Sequence, residues 1–307
     1  MDFVNKRIWF FLTSVLIITP GIIFLIIGQG LRPGIDFTGG SSMNIGFSQE
    51  VDPNEIRAKL SELGYVDAIV QKLGDDTFFL RTVQLDESDK NNLVQEMENS
   101  LSPEGLQLLS FDLVSPMVAK ETLVAAFWAV IAAAVGIFFY LWWAFRSVPK
   151  PFRYGAAAII ALIHDTVIVI GIFAILGVLF EIEVNTMFLS ALLTVIGYSV
   201  NDTIVIFDRL RENILLYPNR SLESIANLSI SESLGRSLNT SLTILFTILA
   251  LMLLGGPTIR VFLWVLLAGV VVGTYSSIGI ATQTLIIWEK GDIGRLFRRI
   301  RPVSESN

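Results

Sequence analysis

Six long apolar runs constrain this chain more than any other feature. A helix needs about 20 residues to cross a hydrocarbon layer roughly 30 Å thick. Ile8–Ile27, Leu123–Phe145, Tyr154–Phe180, Val184–Phe207, Leu234–Leu254 and Ile259–Trp288 all reach that length. A soluble surface is hard to dress with what remains, since 53% of residues are apolar and 16% charged, where a soluble chain carries about a quarter charged. The expected fold is a polytopic α-helical membrane protein with six transmembrane helices. The first run follows Lys6-Arg7 but is longer than the 7–15 residues of a signal-peptide core. Gly28-Gln29-Gly30 does not read as a cleavage site, so the run is expected to be an uncleaved anchor.

Lys and Arg set the expected orientation. Lys6 and Arg7 precede the first run, and Arg146, Lys150 and Arg153 fill the second connection. Arg209, Arg211 and Arg220 follow the fourth run, and Lys290, Arg295, Arg298, Arg299 and Arg301 follow the sixth. The short connection at Glu181 and Glu183 has no base, and Arg260 alone dissents. Both termini are therefore expected in the cytoplasm. The chain divides into residues 1–28 (tail and first helix), 29–122 (extracytoplasmic), 123–288 (helices two to six) and 289–307 (basic tail). The net charge of −6 describes neither side, because residues 30–121 hold sixteen acids against seven bases and carry the excess.

The external segment has the marks of a small α+β, ferredoxin-like domain. Strands are expected at Ser41–Ser48, Ala68–Leu73, Thr77–Val83 and Leu106–Val114, with helices after Asp52-Pro53 and Asp86. Gly74-Asp75-Asp76 is a hairpin signal. On this count a β-α-β-β-α-β order is expected to need one more strand, near Ile35–Thr38 or missing. No catalytic constellation stands out among its carboxylates.

With no Cys and a single His, a disulfide framework, a Cys nucleophile, Cys-ligated zinc and a multi-His metal site are all excluded. Chemistry must come from ionisable groups inside the spans, which cost about 2.5–3.5 kcal/mol each to insert and so mark function. The third run holds His164-Asp165; the fourth holds Asn201-Asp202, after Tyr198 and Ser199; the fifth opens with Arg236, Asn239, Thr240, Ser241 and Thr243. At 1.5 Å per residue, all lie in the same half of the bilayer, so Asp202 and Arg236 can pair. A carboxyl in an apolar interior holds its proton, and an approaching guanidinium releases it. Asp202, Arg236, Asn201, Asp165 and His164 are the candidate proton-coupling residues. A static buried salt bridge, or an Asp202 carboxyl kept neutral by Asn201 and Ser199, is the plainer alternative. For His164 a structural hydrogen bond weighs as much as a relay. Asp208, Arg209, Arg211 and Glu212 read as a structural cluster at the membrane edge. Gly269, Gly273, Gly279, Ser276 and Ser277 are expected to serve close helix packing. Ser221–Ser233 is expected to form a short interfacial amphipathic helix.

Several stretches resemble one known family, SecF, of the SecD/SecF proteins in the resistance–nodulation–division superfamily. Arg32–Gly40 (RPGIDFTGG) is similar to the signature after its first span, with Gly34, Asp36, Gly39 and Gly40. Ala161–Asp165, Ile196–Thr203, Phe207–Asn213, Arg236–Ser241 and Gly273–Ser277 resemble its later motifs. The resemblance implies an accessory subunit of the Sec translocase in the cell inner membrane. It implies SecD as partner, alongside the SecYEG translocon, YajC and YidC, with the translocating preprotein and membrane lipid, and no nucleic acid. It implies use of the proton-motive force, with H+ as coupling ion and Na+ as the alternative, no cofactor, and a membrane Asp and Arg at Asp202 and Arg236. One rival is a proton-driven half-transporter of a small molecule or lipid. Another is an intramembrane protease using Asp165 and Asp202; the absent GxGD motif argues against it, and the chain is not expected to be an enzyme.

Overall fold

The structure is a computed structural model that describes residues 2–28, 30–74, 76–256 and 259–290. The expected basic tail beyond Lys290 lies outside the described residues. The chain forms two compact units, one from residues 31–129 and 177–186, the other from 1–30, 130–176 and 187 onward.

The first unit is built on a four-stranded antiparallel sheet. Its strands are β1 (Gly40–Phe47), β2 (Ile69–Lys72), β3 (Thr77–Thr82) and β4 (Leu106–Val114), in the order β2-β3-β1-β4. Helices α3 (Pro53–Glu62) and α4 (Glu87–Leu101) complete β-α-β-β-α-β. Four strands suffice for that order, so the extra strand sought near residues 35–38 is not needed. Those residues form α2 (Ile35–Thr38), a single helical turn. The cause is Gly39 and Gly40, whose φ values of 77° and 120° only glycine adopts without strain. They turn the chain sharply from α2 into β1.

Alternation puts Met43 and Ile45 of β1 opposite Leu80 and Phe78 of β3 on one face. Ile56 and Leu60 of α3 and Leu93 and Met97 of α4 close over that face. Both helices start as the sequence suggests. Asp52 accepts from Asn54 N–H at 2.7 Å before Pro53, and Asp86 accepts from Asp89 N–H at 2.8 Å. Those bonds, Asp89 N–H first and then the Ser88 hydroxyl, hold the Asp86 carboxyl below its ordinary value.

Six described helices are long and apolar enough to span a membrane. They are α1 (Arg7–Ile27), α5 (Pro116–Ala144), α6 (Phe152–Phe180), α7 (Thr186–Leu216), α8 (Leu222–Leu254) and the segment Arg260–Glu289. The last is α9 (Arg260–Ser276) joined through a π-helical stretch, Ser277–Ala281, to α10 (Thr282–Glu289). α7 runs well past Phe207. The amphipathic stretch after Ser221 is not separate but the first turns of α8, because nothing breaks the helix between Leu222 and Leu254. In the second unit α1 and α6 touch at backbone level. A Cβ added to Gly21 would lie 2.6 Å from Gly171 Cα, and one added to Gly171 would lie 2.9 Å from Gly21 Cα.

Candidate functional site

Asp165, on α6, is 2% exposed, and its carboxylate is held by three other side chains. Oδ2 accepts from Ser199 of α7 at 2.5 Å and from Ser276 of α9 at 2.7 Å. Oδ1 lies 2.9 Å from His164 Nδ1. On the far side of the ring, His164 Nε2 is 2.9 Å from Ser14 Oγ of α1, and Ser14 Oγ is 3.2 Å from the Tyr275 hydroxyl of α9. That hydroxyl donates to Phe10 O at 2.6 Å. Three helices thus meet on one acid, and α1 joins them through His164.

Counting hydrogens along this row gives what a complete set of its bonds requires. A carbonyl only accepts and a hydroxyl has one hydrogen, so Tyr275 spends its own on Phe10 O and must accept from Ser14. Ser14 then accepts from His164 Nε2–H. One more hydrogen lies between Nδ1 and Asp165 Oδ1. The complete row therefore needs two protons on the His164–Asp165 pair, as imidazolium with carboxylate or as neutral imidazole with carboxylic acid. Removing one makes Ser14 turn its hydrogen to Nε2. The Ser14–Tyr275 contact between α1 and α9 is then left with two facing oxygens and no hydrogen.

Asp202 lies one turn further along α7, 3% exposed. Its Oδ2 and the hydroxyl of Ser237, the α8 side chain that approaches it, are both buried, and neither makes a hydrogen bond of ordinary geometry among the described residues. Thr203 is 3.0 Å from Ser277 in the π-helical stretch, where Thr282 Oγ1 donates to the displaced Ser277 O at 2.8 Å. Such π bulges are frequent at functional sites. Tyr198 and Thr274 share the Ser241 hydroxyl at 2.6 Å each.

The predicted residues divide accordingly. His164 and Asp165 stand together, with Asp202 buried nearby on α7. Arg236 and Asn201 are exposed on this chain, and no ion pair joins Asp202 to Arg236 among the described residues. Ser233, Ser237 and Ser241 take the buried stripe of α8, and Arg236, about 100° around the helix from Ser237, faces away. Ser199, considered as a partner for Asp202, instead serves Asp165. Ser276 and Ser277, assigned to packing, are hydrogen-bond donors, although Gly273 beside them does allow close approach, its added Cβ falling 3.0 Å from Ser199 Cβ. Ser14 and Tyr275 had no assigned role; Ser14 is one of three hydroxyls, with Thr13 and Thr19, inside the first apolar run, and nothing singled it out. In the edge cluster Arg209 is bound to Glu212 at 2.6 Å and to Glu232 at 2.7 Å.

In the other unit the signature residues meet the connection between α6 and α7. Asp36 accepts from Thr186, and Glu183 pairs with Arg81 at 2.6 Å. Burial pushes the Glu183 carboxyl up against the pull of Arg81.

A bundle of apolar helices with buried carboxylates, joined to a small ferredoxin-like module, defines a multi-pass membrane protein with ionisable groups in its interior. Comparison with known proteins is specific. The family described as "Protein export membrane protein SecD/SecF, C-terminal" matches residues 94–291, and "SecD/SecF GG Motif" matches residues 24–51. The chain belongs to the SecD/SecF family of protein-export membrane proteins. It is 44% identical to the protein translocase subunit SecF of Thermobaculum terrenum, over 98% of each chain. It is 43% identical to that of Anaerolinea thermophila, over 97% of each. Among solved structures it is similar to SecDF of Thermus thermophilus, described as a translocon-associated membrane protein, at TM-score 0.83 and 30% identity. The match covers 94% of this chain and 39% of that one, so the chain spans about two fifths of SecDF.

Proposed function

We propose that the chain is a non-catalytic accessory subunit of the Sec translocase that works with SecD, beside SecYEG, to promote export across the cytoplasmic membrane with the proton-motive force. Residues 29–122 lie outside and both termini lie in the cytoplasm, in keeping with the Lys and Arg distribution. The observation that carries the proton reading is the sealed His164–Asp165 row, whose hydrogen bonds are complete in only one proton state. Loading that proton adds a Ser14–Tyr275 bond to the Tyr275–Phe10 O bond that already joins α1 and α9, and releasing it leaves the two hydroxyls unbonded. A proton fits better than Na+, because Ser199 and Ser276 point hydrogens rather than lone pairs at Asp165. Asp202 is the second acid of the path, its free Oδ2 able to take a hydrogen bond when the helices shift. Exposed Arg236 supports a partner: a bare guanidinium in lipid is costly, and a SecD helix over α8 would shield it.

The test is export of a preprotein into inverted membrane vesicles holding the full complex, with and without a proton gradient. Asp165→Asn and Asp202→Asn should each abolish the gradient-dependent part while SecD still co-purifies. Normal gradient dependence in both variants would sink the proposal.

A further inference from the structure

Helix α7 begins at Thr186, and the first N–H groups of any α-helix point outward without an intrahelical acceptor. The Thr186 N–H donates to Asp36 Oδ2 at 2.7 Å, and Thr186 Oγ1 donates to the same oxygen at 2.7 Å. A capping side chain ordinarily belongs to the residue just before the helix. Here it comes from 150 residues earlier in the chain.

The surroundings repeat the pattern. Pro33 and Val184 form an isolated parallel bridge, made by Val184 N–H to Arg32 O and Gly34 N–H to Val184 O, both 2.8 Å. Arg81 of β3 donates to Pro33 O and Thr38 Oγ1, each at 2.8 Å, and to Glu183. Gln71 of β2 donates to Glu181 O. A Cβ on Gly34 would fall 3.2 Å from both Glu183 Oε2 and Val184 O. Sheet, signature and the strand-like approach to α7 are stitched together by backbone and side chain alike, and Asp36 makes the last stitch to the helix itself.

We propose that Asp36 is a positioning residue for export: its carboxylate clasps the start of α7 to the sheet-bearing module, so that movement of either is carried to the other. α7 is continuous from the clasp to Ser199 and Asp202, roughly 20 and 24 Å further at 1.5 Å per residue. A carboxylate at a helix N-terminus is favoured by the helix dipole as well. This inference rests on the reading of α7 as a proton-coupled helix for its role in export, but the clasp itself is a matter of geometry.

Two readouts on the full chain with its partner separate the two. Amide hydrogen exchange over the first turn of α7 reports the clasp, and gradient-dependent export reports its use. Asp36→Ala should speed exchange there about fivefold, as loss of a capping acceptor does, and cut gradient-dependent export at least about tenfold while complex assembly persists. Asp36→Asn should stay within about twofold of the parent in both, since Asn caps as well as Asp. Unchanged exchange in Asp36→Ala, or an Asn variant as defective as the Ala one, would overturn the clasp. Normal export by an Asp36→Ala protein with lost protection would overturn its coupling role. An Asp165→Asn control that exports normally would instead count against the proton reading, with the exchange result still deciding the clasp.

Discussion

Replacing Gly21 by Ala should disturb a site two helical turns away. The new Cβ would stand 2.6 Å from Gly171 Cα and 3.2 Å from Gly171 C, where carbons rest at about 3.5–4.0 Å. The obstacle is backbone, so no rotamer relieves it, and α1 and α6 must part by about 1 Å. Ser14 lies seven residues before Gly21, and His164 lies seven before Gly171. The two helices are therefore in parallel register, and the 2.9 Å Ser14–His164 bond sits about 10 Å along from the glycine contact. Separation of even half an ångström stretches that bond to its limit, and a full ångström breaks it. Overpacking costs about 1–3 kcal/mol and the broken bond adds about 0.6 kcal/mol in a membrane interior. At about 2–4 °C per kcal/mol for a domain of this size, the detergent-solubilised protein should melt roughly 5 °C lower. The single histidine gives a second assay: ¹⁵N-histidine NMR, with a histidine-free affinity tag, observes His164 alone and should show Nε2 losing its hydrogen-bonded signal. Gly171→Ala, with its milder 2.9 Å approach, should do less. A Gly21→Ala protein with unchanged melting and an unchanged His164 spectrum would refute the reasoning.

Other expectations concern the external module. Phe78 is fully buried between the sheet and its helices, so Phe78→Ala should cost about 3–5 kcal/mol and open the module to limited proteolysis in the intact chain. The Asp86 cap has a folded value below its ordinary 3.8. Its stabilising effect is thus present above the unfolded value and lost as pH falls through the folded one. Hydrogen exchange in the first turn of α4 should speed up as pH drops below about 4, relative to the intrinsic rate, and Asp86→Asn should remove that dependence.

The six membrane helices were legible because a hydrocarbon layer demands long apolar runs and little else does. The module was legible through period-two alternation and the caps at Asp52 and Asp86, but not at residues 35–38, where a strand was sought and the chain makes a single helical turn before two consecutive glycines. The site was legible only by composition. His164, Asp165 and Asp202 announce themselves as charges in apolar surroundings, but which of them meet depends on helical phase. One step along α8 separates buried Ser237 from exposed Arg236, and that phase could be read only from the Ser233, Ser237, Ser241 stripe. The roles of Ser14 and Asp36 could not be read locally, because their partners lie 150 residues away.

The junction at Ser115 has a geometric consequence of its own. One residue separates the end of β4 at Val114 from the start of α5 at Pro116, and a Cβ on Gly39 would fall 3.1 Å from Pro116. A strand turns its side chains over with each added residue, and a helix turns by about 100°. With no slack between them, the angular setting of α5 about its own axis is dictated by the pleat of the sheet. A single inserted residue there would present a different third of that helix to whatever surrounds it, so the length of this junction acts as an index mark between two periodicities that coincide only about every 18 residues.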